Sequence, residues 1–154
     1  MPSKIISGGQ SGVDRAVLDA ARELDVPIGG WCPKGRRAED GAIAASYLLD
    51  ESPSDQYAQR TEWNIRDSDS TLVLTFGPAT GGTALTVQLA DRLSKPCLVL
   101  DLKNSALLED ALSWIGEHSI QVLNVAGPRA SSVSAVYHLA FDFVARLLDH
   151  ASVE

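Results

Sequence analysis

Short apolar runs of four to six residues alternate along this chain with longer stretches whose apolar positions recur every three or four residues. That is the pattern of strands feeding helices in a parallel α/β sheet. Five strand–helix units are predicted. Lys4-Ile5-Ile6-Ser7 reads as the first strand; the helix after it starts near Gly12 and aligns Val13, Val17, Ala21 and Leu24 on one face until Pro27 stops it. A second strand over residues 27–31 is followed by a polar loop at 33–41, a short helix over 42–49, a turn at Ser52-Pro53-Ser54 and a helix over about 55–66. Thr71-Leu72-Val73-Leu74-Thr75-Phe76, bounded by Asp69-Ser70 and Gly77-Pro78, is the clearest strand, and its helix places Leu85, Leu89 and Leu93 four apart. Cys97-Leu98-Val99-Leu100, apolar without alternation, is expected to be buried on both faces. Leu108, Ala111, Leu112 and Ile115 stripe a helix, residues 121–124 form the fifth strand, and the last helix carries Val133, Val136, Tyr137, Ala140, Val144 and Leu147. The expected architecture is one domain over residues 1–154, a three-layer α/β/α sandwich around a mostly parallel sheet of about five strands.

At 154 residues the chain is long enough to close a core without a metal or a disulfide. Its 13 basic and 20 acidic residues leave a net charge of −7, with no basic face of the kind that holds a nucleic-acid polymer. No stretch approaches the roughly 20 apolar residues that span a bilayer, and Met1-Pro2-Ser3-Lys4 runs directly into a strand, so a cytoplasmic protein with no membrane partner is expected. Cys32 and Cys97 form neither a metal-ligand spacing nor a disulfide framework, in keeping with a reducing compartment.

Right-handed crossovers gather the loops leaving every strand's C-terminal end on one edge of the sheet, where ligands of such folds bind. Those loops are Ser7-Gly8-Gly9-Gln10-Ser11-Gly12, Cys32-Pro33-Lys34-Gly35-Arg36-Arg37, Gly77-Pro78-Ala79-Thr80-Gly81-Gly82-Thr83 and Ala126-Gly127-Pro128-Arg129, and they hold eight of the twelve glycines. Glycine admits backbone N–H groups close to a ligand, and a helix starting directly afterwards adds unpaired donors and a positive dipole end. Gly8, Gly9, Gln10, Ser11 and Gly12, with Gly81, Gly82 and Thr83, are therefore candidates for holding a phosphate, against the plainer alternative that the glycines only permit tight turns. Lys34, Arg36 and Arg37 place three of the 13 basic residues in a four-residue window, joined by Arg129. They would focus an anion, or else form a solvated loop balanced by Glu39-Asp40.

Other motifs fail. Gly30-x4-Gly35-Arg36-Arg37 has P-loop spacing without Lys-Ser/Thr, and Gly8-Gly9-x-x-Gly12 is not G-x-G-x-x-G. No catalytic group stands out: His118, His138 and His150 lie away from the loop edge. Cys32, followed by three cations that would lower its thiol pKa, also fits a plain strand-end residue. Asp14 lies in a first helical turn, where it suits the dipole yet repels a phosphate. Trp31 and Tyr57 could stack on a planar ring or simply pack.

The stretch from Ser7 to Ala16, the stretch from Gly30 to Gly41, Thr80-Gly81-Gly82-Thr83 and Asn124-Val125-Ala126-Gly127-Pro128-Arg129 together resemble the family named putative molybdenum carriers. That family sits in the Rossmann-like superfamily that includes the LOG (lysine-decarboxylase-like) phosphoribohydrolases. The resemblance covers about the whole chain and implies a homo-oligomeric cytosolic carrier, dimer or tetramer, that binds molybdenum cofactor without transforming it. The hydrolases carry P-G-G-x-G-T-x-x-E; with Gln88 laid on the position of its Glu, hydrolysis is not expected of this chain. Three hypotheses follow: a binding protein for a phosphorylated heterocycle, a nucleotide-processing enzyme using Asp14 or Glu39 as acid, and a nucleotide sensor acting through a protein partner.

Overall fold

The computed structural model describes residues 2–104 and 107–152; of the expected span 1–154, residues 1, 105, 106, 153 and 154 lie outside it. The strands are β1 (Lys4–Ile6), β2 (Ile28–Gly29), β3 (Trp31–Cys32), β4 (Arg37–Ala38), β5 (Gly41–Ala42), β6 (Asp50–Glu51), β7 (Ser70–Thr75), β8 (Cys97–Asp101) and β9 (Val122–Ala126). The helices are α1 (Val13–Glu23), α2 (Tyr57–Arg66), α3 (Gly81–Arg92), α4 (Leu108–Glu117) and α5 (Val136–Ser152). Five strands make one parallel sheet in the order β2-β1-β9-β7-β8. The fold is a three-layer Rossmann-like sandwich.

Strand alternation divides the core. Ile5, Leu72, Leu74, Leu123 and Val125 turn to the face covered by α1, α4 and α5, where Val17, Ala21, Ile115, Ala140, Val144 and Leu147 bury the main apolar cluster. On the other face α2 and α3 pack together around Ile65, Leu89 and Ala90. This second layer is polar as well as apolar. Asn124 donates to the Thr71 hydroxyl at 3.2 Å, and Thr61, Asn64, Thr75 and Thr86 are buried there. Buried polar side chains need partners, so this is the layer of the sandwich in which a polar cavity can form.

Three expectations are corrected. Residues 42–49 are not helical. In a helix the carbonyls of Ile43, Ala44, Tyr47 and Leu49 would take amides four residues on; here all four accept hydrogen bonds from the Arg36 guanidinium at 2.7–3.2 Å. Ile43 and Leu49 turn inward onto Leu18, Cys32 and Ala38 instead, and the segment closes two small ribbons, β3 with β6 and β4 with β5. The second strand breaks at Gly30, whose φ of 126° only glycine adopts readily, so Trp31 leaves the main sheet for β6. Asn64 fixes the bend by accepting the Trp31 N–H at 2.7 Å and donating to the Trp31 carbonyl at 3.0 Å. Finally, β8 is the sheet's edge strand and not a doubly buried one: Val99 is 44% exposed.

Arg36→Ala should therefore lower stability by about 2–4 kcal/mol, since several carbonyls lose a charged donor at once. Chemical denaturation reads the loss, and an unchanged midpoint would contradict the structural role given to Arg36.

Candidate functional site

The loops after β1, β7 and β9 meet at the C-terminal edge of the sheet around a cavity of about 510 Å³. One wall is the start of α3. The Thr83 and Ala84 amides fall back on the Thr80 carbonyl, whereas those of Gly81 and Gly82 have no acceptor among the described residues. No atom lies within 4 Å of where a Cβ would stand on either glycine, so a ligand can approach the helix end directly. Thr75, Thr83 and Thr86 add hydroxyls, and Phe76, Pro78, Leu85 and Val133 add apolar surface.

The facing wall is built by Gln10, Asp14 and Arg60. Gln10 is 5% exposed, and its Oε1 accepts the Ser11 and Glu39 amides at 3.0 and 2.8 Å. With that oxygen occupied, Nε2 is the buried end, and it has no hydrogen-bond partner among the described residues. Arg60 places Nη1 3.3 Å from Asp14 Oδ2, with side chains 12% and 4% exposed, while its Nε is also buried, with no hydrogen-bond partner among the described residues. Burial pushes the Asp14 carboxyl above its ordinary pKa, and the opposing pulls of Arg60, the Gln10 amide, Arg15 and Arg129 do not cancel it. At the mouth, the guanidinium carbons of Arg37, Arg129 and Arg60 stand 4.8, 5.4 and 5.5 Å from the Tyr57 ring centre, concentrating positive charge on one rim of an acidic protein.

Of the residues singled out by sequence, Gln10, Asp14, Tyr57, Gly81, Gly82, Thr83 and Arg129 line this cavity; Gly8, Gly9, Ser11, Gly12, Trp31, Cys32, Lys34, Arg36 and Arg37 do not. The first glycine loop is shaped by its protein neighbours. A Cβ on Gly8 would lie 2.1 Å from Arg60 Nη1, one on Gly9 2.7 Å from Leu49, and one on Gly12 2.5 Å from the Pro128 carbonyl. That same carbonyl takes the Val13 amide and closes the N-terminus of α1. Ser11 donates to Glu39 at 2.6 Å and accepts the Ala130 amide at 3.1 Å. Lys34 is exposed, Arg37 donates to the Asp55 carbonyl, and Trp31 donates its indole N–H to Asp67 while meeting Trp63 edge-on. Cys32 is buried, and burial pushes its thiol pKa up despite Arg36, the reverse of the activation that three following cations suggested. Gln88 is exposed on α3 outside the cavity; the α3 side chains that face it are Thr83, Leu85 and Thr86.

Glu39 balances Arg129, whose Nε stands 3.7 Å from its Oε2, but neither Glu39 nor Asp40 forms an ion pair with Lys34, Arg36 or Arg37 among the described residues. Asp40 pairs with Arg15 through two hydrogen bonds, at 2.9 and 3.2 Å. Glu39 takes the Ser11 hydroxyl and both the amide and hydroxyl of Ser131, tying the β1 loop to the loop that carries Arg129. Desolvation raises its pKa, but these hydrogen bonds and Arg129 outweigh it and hold the carboxyl below its ordinary range. Arg60, Thr75, Thr86 and Ser132 are cavity residues that sequence reading missed. One signal existed: positions 57, 60, 61 and 64 make a polar stripe at helical spacing, on a helix that must bury a face.

A profile of the circularly permutated YpsA SLOG family matches residues 5–148. The chain belongs to this family. It is 46% identical to a putative molybdenum carrier protein from Syntrophus aciditrophicus SB whose crystal structure is solved at 1.45 Å; the match covers 96% of this chain and 95% of that one, with a TM-score of 0.92. No curated protein matches the chain. Among the described residues no helix is long and apolar enough to cross a membrane.

The raised Asp14 pKa has a sign. Between the unfolded value of 3.8 and the raised folded value the native state holds the extra proton, so the cost of this carboxylate is present above that window and is relieved as pH falls through it. A phosphate in the cavity favours the protonated form further. Affinity for ribose 5-phosphate should therefore rise on acidification more steeply in the wild type than in Asp14→Asn, which should bind roughly threefold or more tighter at pH 7. Titration calorimetry at several pH values reads both slopes, and identical slopes would contradict the placement of Asp14 in the wall of the cavity that holds the anion.

Proposed function

We propose that this protein binds a phosphorylated heterocycle, of molybdenum-cofactor or nucleotide-like kind, and holds it without transforming it. One observation carries the reading: Gly81 and Gly82, whose amides have no acceptor among the described residues, line one cavity together with the Gln10, Arg60 and Arg129 side chains. About 510 Å³ is the size of a site for such a ligand. The phosphate would sit on Gly81, Gly82 and Thr83, with Arg129 supplying charge at the rim, and the ring system between Tyr57, Phe76 and the Gln10 wall. The name of the Syntrophus protein favours molybdenum cofactor among such ligands. The described residues contain no group of three or more His, Cys, Asp or Glu fit to hold a metal, so a molybdenum-bearing ligand would be gripped through its organic part. Small molecules released by denaturing the purified protein, identified by mass spectrometry, test this: a phosphorylated heterocycle is expected, and a ligand without phosphate would overturn it.

The second reading, a nucleotide-processing enzyme, is favoured by one feature. Asp14 is a buried carboxyl of raised pKa in the cavity wall, the form a general acid takes. Release of free base from a panel of nucleoside monophosphates, lost in Asp14→Asn, would establish it. We also propose a homo-oligomer, with the exposed Val99 edge of β8 and Leu139 on α5 as apolar surface to cover. Light scattering should give a mass of at least two chains, and a 16.4 kDa species would dismiss the assembly.

A further inference from the structure

Phosphate anchoring at α3 leaves the guanidinium groups around Tyr57 unexplained, and they are not alike. Arg60 is nearly buried and spent on Asp14. Arg37 is exposed; its side chain donates to the Asp55 carbonyl at 3.1 Å and forms no ion pair among the described residues. The Arg129 side chain is 41% exposed and makes no hydrogen bond among them; its carboxylate neighbour, Glu39, stays 3.7 Å away. Glu39 is already engaged, since the Ser11 hydroxyl and the Ser131 amide and hydroxyl hold it at 2.6–3.0 Å. Two accessible guanidinium groups with donors to spare thus stand within 5.4 Å of the centre of one ring, on a residue that lines the cavity. Like charges gathered this way repel, and a cation–π contact at a half-exposed ring offsets little of that. An anion beside them offsets far more.

Resting on the phosphate-anchored binding proposed above, we infer that Arg37 and Arg129 form a second anion subsite at the cavity mouth, beside Tyr57, and that the ligand carries a pyrophosphate chain rather than a lone phosphate. The first phosphate takes the Gly81 and Gly82 amides. The second leaves the cavity past Tyr57 and takes the two guanidinium forks, whose paired N–H donors suit phosphate oxygens. Arg129 lines the cavity and serves both phosphates; Arg37 does not line it and serves the second. Glu39 fixes the loop of Arg129 through Ser131 while leaving the guanidinium donors free for the ligand. A monophosphate fills the α3 end and leaves Arg37 idle.

Calorimetric titration of the full chain in magnesium-free buffer decides this with matched pairs: the 5′-mono- and diphosphates of adenosine, guanosine and uridine, and the mono- and diphosphates of 6-hydroxymethylpterin. At least one diphosphate should bind about tenfold or more tighter than its own monophosphate. Arg37→Ala, at an exposed side chain held by one carbonyl, should fold with intact circular dichroism and cut that ratio to about threefold or less. Arg92→Ala removes the same charge from the exposed far end of α3 and should leave the ratio as it is in the wild type. Diphosphates no tighter than their monophosphates would overturn the second subsite and leave phosphate binding standing. A folded Arg37→Ala that keeps the full ratio would overturn it too, as would an equal fall in Arg37→Ala and Arg92→Ala, which would reduce the preference to net charge. Binding of none of the phosphates would defeat both readings together.

Discussion

Gly8→Ala is expected to weaken binding of a phosphorylated ligand about a hundredfold while costing the fold only about 1–2 kcal/mol. The added methyl would stand 2.1 Å from Nη1, 2.6 Å from Cζ and 2.9 Å from Nε of Arg60, so the guanidinium must leave its seat. It is the tip of a flexible side chain, and Gly8, unlike Gly9 and Gly12, has no positive φ, so the backbone need not move. What is lost is local and functional. Asp14 loses its paired cation and, if ionised, presents to the cavity a charge opposed only by the Gln10 amide, Arg15 and Arg129; because it can take up a proton instead, the penalty to stability is bounded. Calorimetry with ribose 5-phosphate or a nucleoside monophosphate, alongside urea denaturation, separates the two effects. A variant that binds as the wild type does would remove Arg60 from the site.

Gly12→Ala should do the opposite. Here the methyl would meet Pro128 O at 2.5 Å and the Ala130 amide nitrogen at 2.7 Å, both main-chain atoms, at a residue whose φ is 80°. Neither neighbour can swing away, and an alanine at that φ is strained on its own account. A loss of about 3 kcal/mol or more is expected, lowering the melting temperature by roughly 6–12 °C for a chain of this size. A change below 1 kcal/mol would contradict the docking of the β1 loop against residues 128–130. Two glycines four positions apart in one loop thus separate binding from stability, a distinction that neither their spacing nor their composition contains.

That contrast shows what could be read without coordinates. Strand β7 and the Thr80-Gly81-Gly82-Thr83 turn were legible because everything that fixes them is local: an apolar run, a glycine pair and a helix that begins at once. Family membership was legible from Thr80-Gly81-Gly82-Thr83 together with the stretches 7–16, 30–41 and 124–129, of which the first and last are the specific ones. The first glycine loop pointed the same way but belongs to packing, since its demands come from far along the chain: Leu49 for Gly9, Pro128 for Gly12, Arg60 for Gly8. Arg36 looked like an anion ligand because a guanidinium in a polar loop usually faces solvent or ligand, yet four carbonyls of an irregular segment claim it. Arg60 was invisible for the complementary reason. Its partner Asp14 lies 46 positions away, and only the meeting of α2 with the β1 loop gives that arginine a role.

A phosphate-bearing ligand is expected in the cavity between the start of α3 and the Gln10 and Arg60 side chains, and melting temperature measured with matched ligands tests this most directly. At a ligand concentration near 100 times the Kd, mass action adds about 2.7 kcal/mol to stability, which should raise the midpoint by roughly 5–10 °C. That rise is expected for at least one phosphorylated pterin or nucleotide, with little or none for the same heterocycle without its phosphate, and it should disappear in Gly8→Ala. A midpoint unmoved by every phosphorylated compound, or moved equally by the dephosphorylated heterocycle, would contradict it.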